Sequence, residues 1–123
     1  MASTPWVMAL ADFADHVAPR GIKYRRLSDL ASLSGSVEVD HVLVKKGDRI
    51  TKHRHAHSSA LCFIIKGAGS IVLGARAYPI AAGNVVNIPA GIDHAFHAGD
   101  ADLVFLSVQH PPIADDYVFP EDL

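Results

Sequence analysis

The chain has 123 residues, which is enough for one domain and too few for two of ordinary size. Half of the residues are hydrophobic and 20% are charged, a balance that predicts a packed core and argues against disorder. The 11 basic and 13 acidic residues give a net charge of −2, so we expect neither a nucleic-acid surface nor a polybasic membrane patch.

The N-terminal segment predicts a short amphipathic helix outside the main core. Apolar residues recur at helical spacing from Thr4 to Val17, Thr4 can act as the N-cap, and Pro5 would occupy the first turn. The breaker sequence Pro19-Arg20-Gly21 follows directly. We therefore expect residues 1–20 to form a helical extension.

Two features of the sequence favour a cytoplasmic protein. The first 16 residues lack a cationic stretch and contain Asp12 and Asp15, unlike a secretory signal. The single cysteine, Cys62, cannot form an intramolecular disulfide, which suits a reducing compartment. No apolar run approaches the roughly 18 residues that a membrane-spanning helix needs, so no membrane contact is expected.

The rest of the chain predicts an all-β barrel or sandwich over residues 21–110. Short β-rich runs alternate with turns that contain Gly, Pro, Asn or Asp. The predicted strands are 22–27, 37–45, 60–66, 70–73, 77–80, 85–88, 94–97 and 103–110. Residues 111–123 are expected to form an irregular tail with room for one short strand at 117–119.

Several predicted strands are apolar on both faces. In the run 61–65, for example, every residue is apolar, so both faces of that strand should be covered. Either a second layer or a partner subunit must cover the outer face. Together with the apolar stripe of the predicted helix, this pattern predicts a homodimer formed by contact between sheets.

Histidine carries the functional signal, because five of the eight histidines lie between positions 53 and 97. His53 and His55 are two residues apart, which in an extended chain places both imidazoles on one face. Neutral imidazoles in pairs suit Fe(II), Zn(II), Ni(II) or Cu(II). A third ligand must come from elsewhere, and His94 on a later strand is the candidate.

The spacing of glycines around these histidines resembles the two sequence motifs of the cupins. The matching residues are Gly47, His53, His55 and Gly67 for the first motif, and Gly83, Pro89, Gly91 and His94 for the second. The resemblance implies a single-domain jelly roll, a double-stranded β-barrel of two antiparallel sheets. It also implies that His53, His55 and His94 point into the barrel and bind one divalent transition metal.

Two positions depart from the cupin pattern. The first motif usually supplies a glutamate ligand in the place of Ala60, and the second usually ends in asparagine where this chain has Ala98. The chain therefore resembles the three-histidine cupins, which include thiol dioxygenases and a diketone-cleaving dioxygenase. Three neutral ligands leave the metal its full +2 charge, which favours an anionic partner such as an enolate, a thiolate or a carboxylate.

Five further residues are candidates for the pocket or for support of the ligands. His57 has the parity of the ligands and is expected at the pocket rim or behind a ligand. His41 lies on the more apolar face of its strand, with Glu38 and Asp40 on the other, and either enters the barrel or is a hydrogen-bonded core histidine. The other three share parity with a site residue and are Ala60, Cys62 and Phe96. For Cys62 the alternatives are a thiol that is redox-active or contacts substrate, and a small buried hydrophobe.

The sequence supports two functions for this site. The leading hypothesis is a metal-dependent oxygenase that acts on a small anionic or enolisable molecule. The alternative is a non-catalytic module that holds or senses a small ligand in the same barrel. Whether the protein is an enzyme stays open at this stage, because fold-level resemblance does not determine the reaction.

Overall fold

The structure, a computed structural model, describes residues 4–29 and 31–123 and contains ten short strands. The strands are β1 Asp15–Val17, β2 Lys23–Arg26, β3 Glu38–Val44, β4 Arg49–His53, β5 Ser59–Lys66, β6 Ala68–Leu73, β7 Arg76–Ala81, β8 Val85–Ile88, β9 His94–Ala98 and β10 Leu103–His110. Single 3₁₀ turns are found at Leu10–Asp12, Pro19–Gly21 and Pro120–Asp122.

The strands form two antiparallel sheets, which confirms the predicted all-β jelly roll. The larger sheet has six strands in the order β1-β2-β3-β10-β5-β8, and the smaller has four in the order β4-β9-β6-β7. Burial alternates along the long central strands β3, β5 and β10, so one face of the larger sheet covers the core. Ile64, Ile71 and Leu103 from both sheets are fully buried in that core.

The chain crosses from the larger to the smaller sheet at Gly67, between β5 and β6. Gly67 has φ +85°, and a Cβ there would lie 2.2 Å from the backbone oxygen of Asp102. At Gly69 a Cβ would lie 2.0 Å from the backbone oxygen of His97. Glycine is required at both positions because the neighbouring backbone occupies the place of the side chain.

The predicted N-terminal helix is wrong. In its place the structure has one 3₁₀ turn at Leu10–Asp12, and β1 then pairs with β2 at the edge of the larger sheet. The Arg25 guanidinium donates to the backbone oxygens of Leu10 and Phe13, which fixes the segment in a non-helical conformation. An isolated helix of this length is marginal in water, so tertiary contacts decide its conformation.

The sequence did not predict β1 or β4 as strands. The segments of β1 and β4 carry charged or polar residues at most positions, which weakens the alternating pattern that marks a strand. The tail contains one bridge, between Val118 and Arg54, within the stretch where a short strand was expected. Across residues 4–29 and 31–123, no helix is long and apolar enough to cross a membrane.

Candidate metal centre

Three buried histidines converge at one end of the smaller sheet. His53 ends β4, His94 begins β9, and the two residues are direct partners across these strands. His55 follows two residues after His53, and its ring centroid lies 4.9 Å from that of His53 and 5.4 Å from that of His94. One ligand nitrogen from each of the three lies within 4.8 Å of the others, so the cluster could hold one metal ion.

Backbone carbonyls orient all three imidazoles. The Nδ1 atom of His53 donates to the backbone oxygen of Thr51 at 2.7 Å, and that of His94 donates to the oxygen of Ile92 at 3.0 Å. The Nδ1 atom of His55 donates to the backbone oxygen of Asp116. Because a carbonyl can only accept, each Nδ1 carries the hydrogen and each Nε2 keeps its lone pair for a ligand.

Burial keeps the three imidazoles neutral at physiological pH. Loss of solvent lowers the pKa of His53 to about 3 and that of His94 to about 4, and it also lowers the pKa of His55. A metal ligand must be in the neutral form. The donor set therefore fits a divalent transition metal, with no proton to be displaced from an imidazolium near pH 7.

The histidines form one wall of a cavity of about 50 Å³ between the sheets. Ile50 and Phe96 add apolar surface from the smaller sheet, and Phe96 stacks on Phe105 with ring centroids 4.4 Å apart. A cavity of about 10–15 Å³ holds one water molecule, so this cavity has room for a ligand of only a few heavy atoms. The opposite wall, on the inner face of the larger sheet, contains Asp40, Ala60, Cys62, Ser107 and Gln109.

The C-terminal tail closes the cavity beside the histidines. The Tyr117 ring packs against His55 with centroids 4.9 Å apart and stacks on Phe119. The Asp116 carboxylate anchors this tail by accepting from the backbone N–H groups of Ala56 and His57, each at 2.8 Å. The tail was predicted as irregular apart from one possible short strand, and no sequence signal linked it to residues 53–58.

Three of the secondary candidates line the same cavity as the histidines, namely Ala60, Cys62 and Phe96. Burial raises the pKa of Cys62 to about 11, and its Sγ donates to the Ser107 hydroxyl at 3.5 Å. The thiol is therefore protonated at neutral pH. This agrees with the interpretation of Cys62 as a small buried hydrophobe that also lines the cavity.

The structure does not bring His57 or His41 to the cavity. His57 is exposed in the loop after β4, and only its backbone contributes, through the N–H bond to Asp116. His41 is half-buried on the outer face of β3, where Arg25 is its partner across the sheet. The expectation that His41 enters the barrel is wrong, because the opposite face of β3 points inward.

The inner face of β3 carries the acidic residues that the sequence analysis placed outside. Glu38 and Asp40 are 4% and 5% exposed. The Glu38 carboxylate pairs with Arg26 at 3.3 Å and accepts the N–H of Ile113 at 3.1 Å. Burial, followed by the hydrogen bond to Glu38 and its charge, raises the pKa of Asp40 well above its usual range. The sequence did contain a signal for this wall, namely two polar residues at alternate positions of a largely apolar strand. Glu38 and Asp40 form such a pair on β3, and Ser107 and Gln109 form one on β10.

Comparisons with known proteins agree with this architecture. A family described as "Cupin domain" matches residues 40–109. An uncharacterised protein of Streptomyces coelicolor is 40% identical over 50 residues, which cover 41% of this chain and 48% of that protein. The match therefore spans about half the length of this curated relative.

Several solved structures share the fold at low sequence identity. An oxalate decarboxylase of Lactobacillus farciminis has a TM-score of 0.78 at 19% identity, over 98% of this chain and 37% of that one. A cupin-superfamily sugar phosphate isomerase of Silicibacter pomeroyi has a TM-score of 0.74 at 23% identity, over 85% and 74% of the two chains. A nucleoside dehydratase of Streptomyces has a TM-score of 0.72 at 18% identity, over 94% and 90%. The family match covers more than half of the chain, and the protein belongs to the cupin family.

Proposed function

We propose that this protein binds one divalent transition metal through His53, His55 and His94 and uses it as an enzyme on a small anionic or enolisable molecule. The observation that carries the proposal is the convergence of three buried imidazoles, each held by a backbone carbonyl so that its free nitrogen lies near the other two. Oxygenase chemistry is the leading reaction class.

The residues of the cavity suit such a substrate. When bound, the metal would supply a Lewis acid. It would keep its full +2 charge, because none of these protein ligands is a carboxylate. The cavity of about 50 Å³ limits the substrate to a few heavy atoms. The rings of Phe96, Phe105 and Tyr117 line the cavity, and such apolar surroundings strengthen electrostatic contacts within it.

A ligand-binding role without catalysis is the second candidate. It is favoured by Ala60, which lies in the cavity where the cupin resemblance places a glutamate ligand. The structurally similar proteins include an isomerase, a decarboxylase and a dehydratase, so the fold alone does not select a reaction.

Metal content of untagged protein tests the first step of the proposal. After reconstitution with Fe, Zn, Ni or Cu and desalting, elemental analysis should find close to one equivalent of metal. His53→Ala and His94→Ala should each lose most of it, because two imidazoles hold the ion much less tightly than three. His57→Ala, on an exposed side chain outside the cavity, is the matched control and should retain it. Wild-type protein that stays empty of all four metals would contradict the site.

Oxygen consumption separates the enzyme from the binder. Protein loaded anaerobically with Fe(II) is mixed with thiols, diketones and catechols, and dissolved O₂ is followed over time. Consumption that depends on both the substrate and His94 supports an oxygenase. Saturable binding of a compound without any turnover would instead support the ligand-binding role.

A further inference from the structure

A polar patch of three residues, Asp40, Ser107 and Gln109, lies across the cavity from the three histidines. All three are buried on the inner face of the larger sheet and line the cavity. Asp40 on β3 is the direct partner of Ser107 on β10, and Gln109 lies two residues further along the same face of β10. Asp40 and Gln109 are therefore diagonal neighbours, a spacing at which long side chains come within reach of each other. One small group in the cavity can thus meet both.

Two oxygen atoms of the polar patch have no hydrogen-bond partner among residues 4–29 and 31–123. They are Oδ1 of Asp40 and Oε1 of Gln109, whose residues are 5% and 4% exposed. Buried polar atoms without partners are rare in folded proteins, because they lose their bonds to water and regain none. Both unpaired atoms are acceptors, so each of them lacks a hydrogen-bond donor. A molecule in the cavity that carries donor hydrogens would supply the missing bonds.

The neighbouring side chains of the protein do not supply these donors. The Gln109 amide nitrogen donates to the Ser107 hydroxyl oxygen, so Oε1 is the atom of this amide that stays unpaired. The hydrogen bond between Asp40 and Glu38 likewise leaves Oδ1 of Asp40 unpaired. Nε of Arg26 lies 3.8 Å from this Oδ1, which is too far for a hydrogen bond. Arg26 also lies outside the lining of the cavity. The two acceptors are thus left for a ligand.

We infer that the ligand of this cavity is a small carboxylate with an amino or amide N–H₂ group opposite the histidines, and that Asp40 and Gln109 hold this group. Two unpaired acceptors call for two donor hydrogens, which one N–H₂ group carries and one hydroxyl group does not. The position of the carboxylate rests on the proposed function, which places a divalent metal at the histidines. The cavity of about 50 Å³ limits the whole molecule to a few heavy atoms. Asp40 and Gln109 therefore select the ligand by its donors, in addition to the negative charge that the metal favours.

Binding of oxamate and pyruvate to the zinc-loaded protein tests this inference. The two monoanions have the same number of heavy atoms and the same carboxylate and carbonyl oxygens. They differ only in that oxamate has an N–H₂ group where pyruvate has a methyl group. Isothermal titration should show that the wild type binds oxamate about tenfold more tightly than pyruvate, because the methyl group leaves both acceptors unpaired. Equal affinities, or tighter binding of pyruvate, would overturn the inference.

Gln109→Met tests the residue, because methionine keeps the length of the side chain and removes the acceptor. The variant should bind oxamate about tenfold more weakly, while its affinity for pyruvate stays within about threefold of wild type. Asp40→Leu should show the same selective loss. Asn87→Ala, which removes an exposed amide from β8, is the matched control and should change neither affinity. An equal loss of both affinities in variants that retain zinc would refute the selection by donors. If the variants do not fold, the wild-type comparison decides alone.

A metal-free measurement separates this inference from the proposed function. Acetamide and acetone also differ only by an N–H₂ group in place of a methyl group, and neither carries a carboxylate. In the metal-free, isotope-labelled protein, millimolar acetamide should shift the backbone N–H resonances of Asp40 and Gln109, and acetone should not. If zinc analysis shows that the wild type binds no metal, the proposed function fails and this comparison decides the inference. Equal responses to the two compounds would then overturn it.

Discussion

Ala60 is the residue at which this site departs most clearly from the cupin pattern. It is buried on β5 and lines the cavity together with the histidines. Ala60→Glu should therefore add a carboxylate ligand and raise zinc affinity by about tenfold or more, which corresponds to about 1.4 kcal/mol. The same change lowers the net charge of the site from +2 to +1, so oxalate should bind more weakly.

Isothermal titration with zinc and then oxalate measures both effects of Ala60→Glu. Ala77→Glu, on the exposed side of β7, is the matched control and should leave both affinities unchanged. Unaltered zinc binding by Ala60→Glu would mean that position 60 does not face the metal, and that the alignment with the first cupin motif is out of register.

Asp40 makes the stability of the metal-free protein depend on pH. Its pKa is raised in the folded state, so the stabilising contribution is fully present below about pH 4 and is lost as the pH rises through the folded-state pKa. Relative to Asp40→Asn, the free energy of unfolding of the wild type should fall by about 1 kcal/mol per pH unit between pH 5 and pH 8. Urea unfolding at several pH values measures the difference.

The comparison with Asp40→Asn removes the contributions of other titrating groups, which both proteins share. Asp100→Asn, in an exposed turn, should follow the wild-type curve at every pH. If the wild type and Asp40→Asn have parallel stability curves, the pKa of Asp40 is not raised in the folded protein.

At the scale of structural elements, the C-terminal tail supports the candidate metal centre. Asp116 accepts three backbone N–H groups from the segment 56–58, and its own carbonyl orients His55. Burial alone would raise the pKa of Asp116, but these N–H bonds outweigh it and lower the pKa. The tail and the histidine segment are thus one hydrogen-bonded unit, although they are about 60 residues apart.

Asp116→Ala should weaken this unit and the metal site with it. We expect the free energy of unfolding to fall by about 1–2 kcal/mol, because three N–H groups lose their carboxylate acceptor and must bond to water instead. Metal affinity should fall by about tenfold, since a less constrained ligand binds less tightly. Asp115→Ala, at the neighbouring exposed side chain, should change neither quantity. A stable Asp116→Ala protein with wild-type zinc affinity would separate the tail from the site.

The orientation of β3 shows why the hydrophobic pattern of the sequence did not predict the opposite wall of the cavity. Its two faces carry Val39, His41 and Leu43 on one side and Glu38, Asp40 and Val42 on the other. The less apolar face points inward, and Asp40 and Val42 on that face line the cavity. Period-two alternation identifies the two faces of a strand, but only packing against the other sheet decides which one is buried.

At the scale of the whole molecule, the outer face of the larger sheet is apolar. Leu61, Phe63 and Ile65 on β5 are 43–51% exposed. Leu61 is the partner of exposed Val108 on β10, and Phe63 is the partner of exposed Val85 on β8, so the patch is continuous. We propose that a second copy of the chain covers this face, since large exposed apolar patches mark interaction surfaces.

Light scattering at micromolar concentration should therefore give twice the monomer mass of 13.1 kDa. Phe63→Glu should raise the dimer dissociation constant by about 100-fold, because it places a charge in the centre of the apolar patch. Val7→Glu changes a fully exposed residue elsewhere and should leave the mass unchanged. A wild-type mass near that of one chain would exclude the dimer at that concentration.

The sequence by itself determined the fold class and the three histidines. Short β-rich runs between glycine turns, and the spacing of Gly47, His53, His55 and His94, are local patterns that the chain carries without its tertiary structure. Such features can be predicted from the sequence because each depends on a few neighbouring residues. Gly67 was part of the first motif in the sequence, but the reason that only glycine fits there is tertiary, because a Cβ would meet the backbone oxygen of Asp102.

Only the tertiary structure decided the conformation of the N-terminal segment and which residues form the opposite wall of the cavity. Arg25 donates to the carbonyls of Leu10, Ala11 and Phe13, and the tail reaches the histidines through Asp116. Asp40 and Gln109 meet in one cavity although about 70 residues separate them along the chain. Hydrophobic patterning predicts which residues are apolar. It does not predict which polar residues the packing of two sheets will enclose, because that depends on contacts between distant parts of the chain.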